Sequence, residues 1–128
     1  LEVRLAIDQL FDTDPDALIL VAGDLNAEAE EAPVRILLAE PGDTGNWLPK
    51  TRALVPVERH LPADRRYTVI HHGRGEMFDH MLASRPLLAV FKDFDVHNET
   101  LADEVEAHLA VAHATESDHA PLLAAFDL

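Results

Sequence analysis

Cysteine is absent from this 128-residue chain, so neither a disulfide framework nor a thiolate metal site can form, and cysteine usage leaves the redox compartment open. Lysine is almost absent too. Lys50 and Lys92 are the only two, so arginine supplies the rest of the 10 basic residues. Against these stand 24 acidic residues, giving a formal charge of −14. Such a field repels polyanions and lacks the Lys and Arg that normally grip phosphate backbones, so nucleic acid is poorly supported as a partner. No apolar run approaches the roughly 18 residues of a membrane span, and no charged-then-apolar leader opens the chain. A soluble protein, secreted or cytoplasmic, is expected.

With 48% hydrophobic residues the chain has enough apolar surface for one core. Apolar positions 1, 3, 5, 7, 10 and 11 predict an amphipathic helix over residues 1–11, ended by Asp12-Thr13-Asp14-Pro15-Asp16. Ala17 to Ala22 is a continuous apolar run, expected as a strand covered on both faces, with Gly23 ending it. A helix should start near Ala32, where acidic residues and Pro33 precede an apolar-periodic stretch. Residues 41–62, rich in proline, read as a long irregular connection with one helical turn. Tyr67 to His72 and Glu76 to Ser84 should pair as a hairpin about Gly73-Arg74-Gly75. Strands are also expected over residues 90–96 and 121–126, and the acidic stretch 101–112 should be a loop or short helix.

Three short segments carry the candidate chemistry: Gly23-Asp24-Leu25-Asn26-Ala27, Phe78-Asp79-His80-Met81-Leu82 and Ser117-Asp118-His119-Ala120-Pro121. Each would bring acid, amide or imidazole groups to the tip of an apolar strand. Asp24 and Asn26 lie two apart, so in extended backbone both would project to one side. Taken singly, Asp-x-Asn and Ser-Asp-His are also ordinary turn sequences. His71 and His72 would face opposite sides of a strand. His108 and His113, five apart and without further ligands, make a zinc site a poor expectation. His97, Asn98 and Glu99 suit a cap or a site rim, His80 suits a packing or hydrogen-bonding role, and His60 carries no signal.

Together and in this order, the three motifs resemble the C-terminal half of the endonuclease/exonuclease/phosphatase superfamily of metal-dependent phosphoesterases. The resemblance runs from about Leu1 to Leu128. It implies an α/β fold, half of a four-layer sandwich of two packed mixed sheets, with an earlier half supplying a metal-binding Glu. The chain opens without Met on a helix already under way, so a fragment, or the ordered part of a longer protein, is expected. Such a half would be stable only with its N-terminal counterpart or with a second copy covering the same surface.

By the same resemblance, Asp24 would orient and deprotonate the attacking water, and Asn26 would hold the nucleophile or a phosphate oxygen. Asp79 would accept a hydrogen bond from His119, which would bind the phosphoryl group. Asp118, helped by Asp24 or Asn26, would hold magnesium or manganese, hard cations suited to oxygen ligands. Arg66, Tyr67, Arg74 and Trp47 are candidate substrate contacts, the arginines as charge-assisted donors to phosphate. The implied activity is hydrolysis of a phosphodiester or phosphomonoester, in a nuclease or a small-molecule or lipid phosphoesterase. The rival reading is a noncatalytic binding or scaffold module that retains half of the fold.

Overall fold

The computed structural model describes residues 1–40, 50–109 and 117–128. It combines helices with antiparallel sheets in the order α1 (Glu2–Thr13), β1 (Leu20–Asp24), α2 (Ala32–Leu38), β2 (Val55–Pro56), β3 (Val69–His71), β4 (Arg74–Glu76), β5 (Asp79–Ala83), α3 (Arg85–Leu88), β6 (Phe91–Val96), α4 (Glu104–Leu109) and β7 (Leu122–Phe126). No described helix is long and apolar enough to cross a membrane.

Arg4, Ile7 and Phe11 form the buried stripe of α1, spaced so that all three lie on one face. Arg4 is inside because its guanidinium finds acceptors: it donates to the carbonyls of Leu37 (3.1 Å) and Arg52 (3.2 Å) and pairs with Asp8. The Leu37 carbonyl belongs to the last turn of α2, where carbonyls lack partners within the helix. One buried cation thus ties α1 to α2 and to the 3₁₀ turn Lys50–Arg52.

The central sheet has the order β1-β5-β2. Its ladder sets Leu20, Val21, Ala22, Gly23 and Asp24 opposite Ala83, Leu82, Met81, His80 and Asp79. Because side chains alternate along β5, His80 and Leu82 face one way while Asp79, Met81 and Ala83 face the other. Leu82 joins a core with Ile7, Phe11, Val34, Leu37 and Leu54. Ala83 and Met81 join a second core with Val57, Leu87, Phe94, Val96 and Ala120. Strand β5 is therefore the partition between two cores, and its tip carries Asp79.

The run at Ala17–Ala22 is not covered on both faces. Leu20 is 42% exposed, and Ala22 and Asp24, two and four residues on along the same face, are exposed as well. The strand also continues through Gly23 to Asp24. The expected second hairpin strand, 76–84, is two separate strands: β4 pairs with β3, whereas β5 pairs with β1 and β2. The hairpin turn is His72-Gly73, with φ of 49° and 77°, the positive values that two-residue hairpin turns favour. The connection read as irregular contains β2, which adds to β5 with Pro56 on an edge strand where proline is tolerated. The pairings between named strands are antiparallel, so the expected mixed sheets are absent from the described residues; the one parallel pairing is an isolated bridge between Ile70 and Asp103. The third sheet, β6 with β7, closes the second core.

Candidate functional site

Asp24 and Asp79 end their strands as a directly opposed pair. Opposed residues of an antiparallel ladder share a face, and like charges placed there repel. Two carboxylates in this position call for a positive group between or above them. His119 supplies one: its Nδ1 lies 2.7 Å from Asp79 Oδ2. Ligand atoms of Asp24, Asp79 and His119 all lie within 4.8 Å of one another. Residues 24, 79 and 119, far apart in sequence, thus meet at one end of the central sheet.

The His119 imidazole feels opposing influences. Partial burial disfavours its charge, but the hydrogen bond it donates to Asp79 and the charges of Asp79, Asp24 and Glu104 prevail, raising its pKa above the ordinary histidine value. The backbone N–H of His119 donates to Ser117 Oγ (3.1 Å), which shapes the turn leading into the site.

Thr68 explains how the two parts are held in register. It is completely buried, and its Oγ1 accepts the backbone N–H groups of Phe78 (3.1 Å) and Asp79 (3.2 Å). Its carbonyl accepts from the Ala120 N–H at 2.8 Å. One residue therefore fixes the backbone on which Asp79 sits and the backbone following His119. Nothing in the sequence marked Thr68 beyond its β-branched type in a strand-like run.

Asn26 departs from the expected geometry. Its φ is 47°, so the segment is not extended at this point and the two-residue alternation does not decide where its side chain goes. Asparagine is among the residues that tolerate this left-handed region. The Asn26 N–H donates to Asp24 Oδ1 (2.9 Å), and the Leu25 N–H donates to the Phe78 carbonyl (2.8 Å). Asp24 thereby organises its own turn with one carboxylate oxygen. Asp118 is half-buried and stands outside the group of converging ligand atoms at Asp24, Asp79 and His119.

No protein-family model, curated protein or solved structure matches this chain. What the site can do must come from its own geometry.

Around the three converging groups, the expected substrate contacts divide. Arg66 spends its guanidinium on backbone carbonyls, Nε to Leu61 (2.7 Å) and Nη2 to Arg59 (3.0 Å). Tyr67 packs its ring on Gly75, so closely that a Cβ there would come within 2.8 Å of the ring, and its hydroxyl donates to the Asn98 carbonyl at 3.4 Å. Both side chains are thus engaged in bonds within the chain. Arg74 remains exposed at the hairpin, 3.9 Å from both Glu28 and Glu76. Since Glu28 lies just beyond Asn26, Arg74 stands beside the Asp24 turn. Trp47 lies outside the described residues.

The other histidines have local duties. His71 pairs with Glu104 and its ring meets that of His72 edge-on at 4.5 Å. His60 covers Phe91, with ring centroids 4.1 Å apart. Asn98 is buried, donating to the carbonyls of Arg65 (3.0 Å) and Tyr67 (2.9 Å) rather than lining a rim. Asp95, His97 and Glu99 also converge, but Arg65 already pairs with Asp95 and Glu99. His113 and the side chain of His108 lie outside the described residues.

Proposed function

We propose that this chain is the C-terminal half of an endonuclease/exonuclease/phosphatase-type domain, a four-layer α/β sandwich, and that the complete domain is a metal-dependent phosphoesterase. The observation that carries the reading is the convergence of Asp24, Asp79 and His119, one residue from each of the three motifs, within 4.8 Å. Support for a further sheet comes from apolar side chains left open on β1 and β7, Leu20 at 42% and Leu123 at 61% exposed, and from Leu18, just before β1, at 56%. Soluble monomers usually keep contiguous apolar surface to a few hundred Å².

The donor set fits magnesium or manganese, which take one or two carboxylates and keep several waters. Asp24 would hold the ion from the converging group, and by the resemblance Asn26 and Asp118, the latter outside that group, would complete the set. When bound, it would supply charge stabilisation to the phosphoryl oxygens and lower the pKa of a bound water. Asp24 accepts the proton of the attacking water, using the carboxylate oxygen that its turn does not consume. His119, held charged by Asp79, donates a hydrogen bond to a phosphoryl oxygen and offsets the negative charge that builds up there. Asp79 keeps the imidazole oriented and charged. Arg74, exposed at the hairpin beside the Asp24 turn, would offer its guanidinium to substrate phosphate.

The small basic complement favours a small phosphoester or lipid head group over a nucleic acid. The test is hydrolysis of bis(p-nitrophenyl) phosphate and p-nitrophenyl phosphate by the intact protein with magnesium or manganese. Turnover abolished by EDTA and restored by either metal is expected. No turnover with either substrate, in protein whose fold is verified, would favour the noncatalytic module.

A further inference from the structure

His80, next to Asp79 on β5, faces the opposite side of the sheet and is 1% exposed. Its Nδ1 lies 2.7 Å from Glu58 Oε1, and its Nε2 lies 2.8 Å from the carbonyl oxygen of Ala27. A carbonyl only accepts, so Nε2 carries the hydrogen of the bond to Ala27, and Nδ1 shares a hydrogen with the Glu58 carboxyl group. Glu58 is itself 4% exposed, on the 3₁₀ turn Val57–His60, and its second carboxylate oxygen is buried without a hydrogen-bond partner. A buried pair of this kind is weak as a source of stability, because desolvation offsets much of the attraction. Its geometry has another consequence.

Ala27 is the residue after Asn26, at the exit of the turn that presents Asp24. That turn has two further anchors, the Leu25 N–H on Phe78 and the Asn26 N–H on Asp24. Both lie before Ala27. At the far end Ala27 packs its side chain into the first core, the bond from His80 holds its carbonyl, and Glu58 locks the ring that makes that bond. We infer that His80 and Glu58 are positioning residues, a buried clamp that holds the Asp24–Ala27 turn, and with it Asp24 and Asn26, over the end of β5.

The two neighbours Asp79 and His80 then divide one task between the two faces of β5, the first orienting His119 and the second holding the turn. The clamp is a statement about the turn; its effect on turnover rests on the phosphoesterase reading. Neither residue touches substrate, since both lie within the core.

The experiment compares Glu58→Leu, which removes the acceptor at similar volume, with Glu58→Gln, which keeps an oxygen for Nδ1–H. Amide hydrogen exchange is read at Leu25 and Asn26 and referenced to Met81, Leu82 and Ala83, alongside kcat and KM for bis(p-nitrophenyl) phosphate. In Glu58→Leu, exchange at Leu25 and Asn26 should rise about tenfold relative to the β5 amides, a local opening. In the same variant kcat should fall by roughly tenfold or more with KM changed less than about threefold. Glu58→Gln should recover most of both. Unchanged exchange at Leu25 and Asn26, or a rise of equal size throughout β5, would overturn the clamp. If Glu58→Leu does not fold, His80→Gln is read by the same exchange ratio. Absence of turnover in the unsubstituted protein would overturn the phosphoesterase reading alone, and the exchange ratio would still decide the clamp.

Discussion

Ser84→Ala should be among the more damaging small substitutions in this protein, although it removes a single oxygen. Ser84 is completely buried where β5 ends and α3 begins. Its hydroxyl accepts the Ile19 N–H at 3.0 Å, donates to the Ala17 carbonyl at 2.9 Å, and caps α3 by accepting the Leu87 N–H at 3.4 Å. The cap is long, so it contributes at the low end, about 0.5 kcal/mol. The Ile19 N–H would be left buried with no acceptor, a cost of about 1–3 kcal/mol. The Ala17 carbonyl lies in a half-buried residue and loses less. Together these give a loss of about 2–3 kcal/mol. Urea unfolding followed by circular dichroism should show the midpoint falling by about 1–2 M, for a slope of roughly 1–3 kcal/mol per M. Because these bonds also pin β1 on β5, which opposes Asp24 to Asp79, turnover should fall below the transition as well. A midpoint lowered by less than about 0.3 M, on the same slope scale, would refute the reasoning.

Asp79→Asn should act through charge, since the amide keeps an oxygen toward His119. The His119 pKa is raised in the folded protein, so the charged form persists above the ordinary value and is lost as pH rises through the raised one. Activity should therefore decline on the alkaline side, and Asp79→Asn should move that limb to lower pH; an unmoved limb in a pH–rate profile would assign it to another group. Thr68→Val should cost about 1–3 kcal/mol by stripping the acceptor from the Phe78 and Asp79 amides, with Thr68→Ser recovering most of it, as measured by denaturant unfolding. The chain should bind magnesium weakly, in the millimolar range or above, because few carboxylates converge among the described residues; tight stoichiometric binding by calorimetry would contradict this.

Much of the strand pattern was legible, β1 and β7 from apolar runs and β6 from mixed apolar and charged positions. The break between β4 and β5 was not, since Met77-Phe78 carries no turn residue. Its cause is tertiary: Thr68 Oγ1 captures the amides of Phe78 and Asp79 and so competes with ladder pairing. Strand β2 was missed because two residues carry no period, and its pairing depends on where β5 lies. At the site, the motifs named Asp24, Asp79 and His119, which the fold brings together. They could not show that Asn26 adopts positive φ, that Arg66 is consumed by carbonyls, or that His80 reaches the Asp24 turn, because each depends on partners distant in sequence.

The phosphoesterase account is tested most directly by turnover of bis(p-nitrophenyl) phosphate in the intact protein and in its Asp24→Asn and His119→Ala variants, with magnesium saturating and folding checked by circular dichroism. Loss of the proton acceptor or of the charged imidazole should each lower kcat by roughly 10²-fold or more, with the fold retained. Turnover within a few-fold of the unsubstituted protein in both variants would contradict the account.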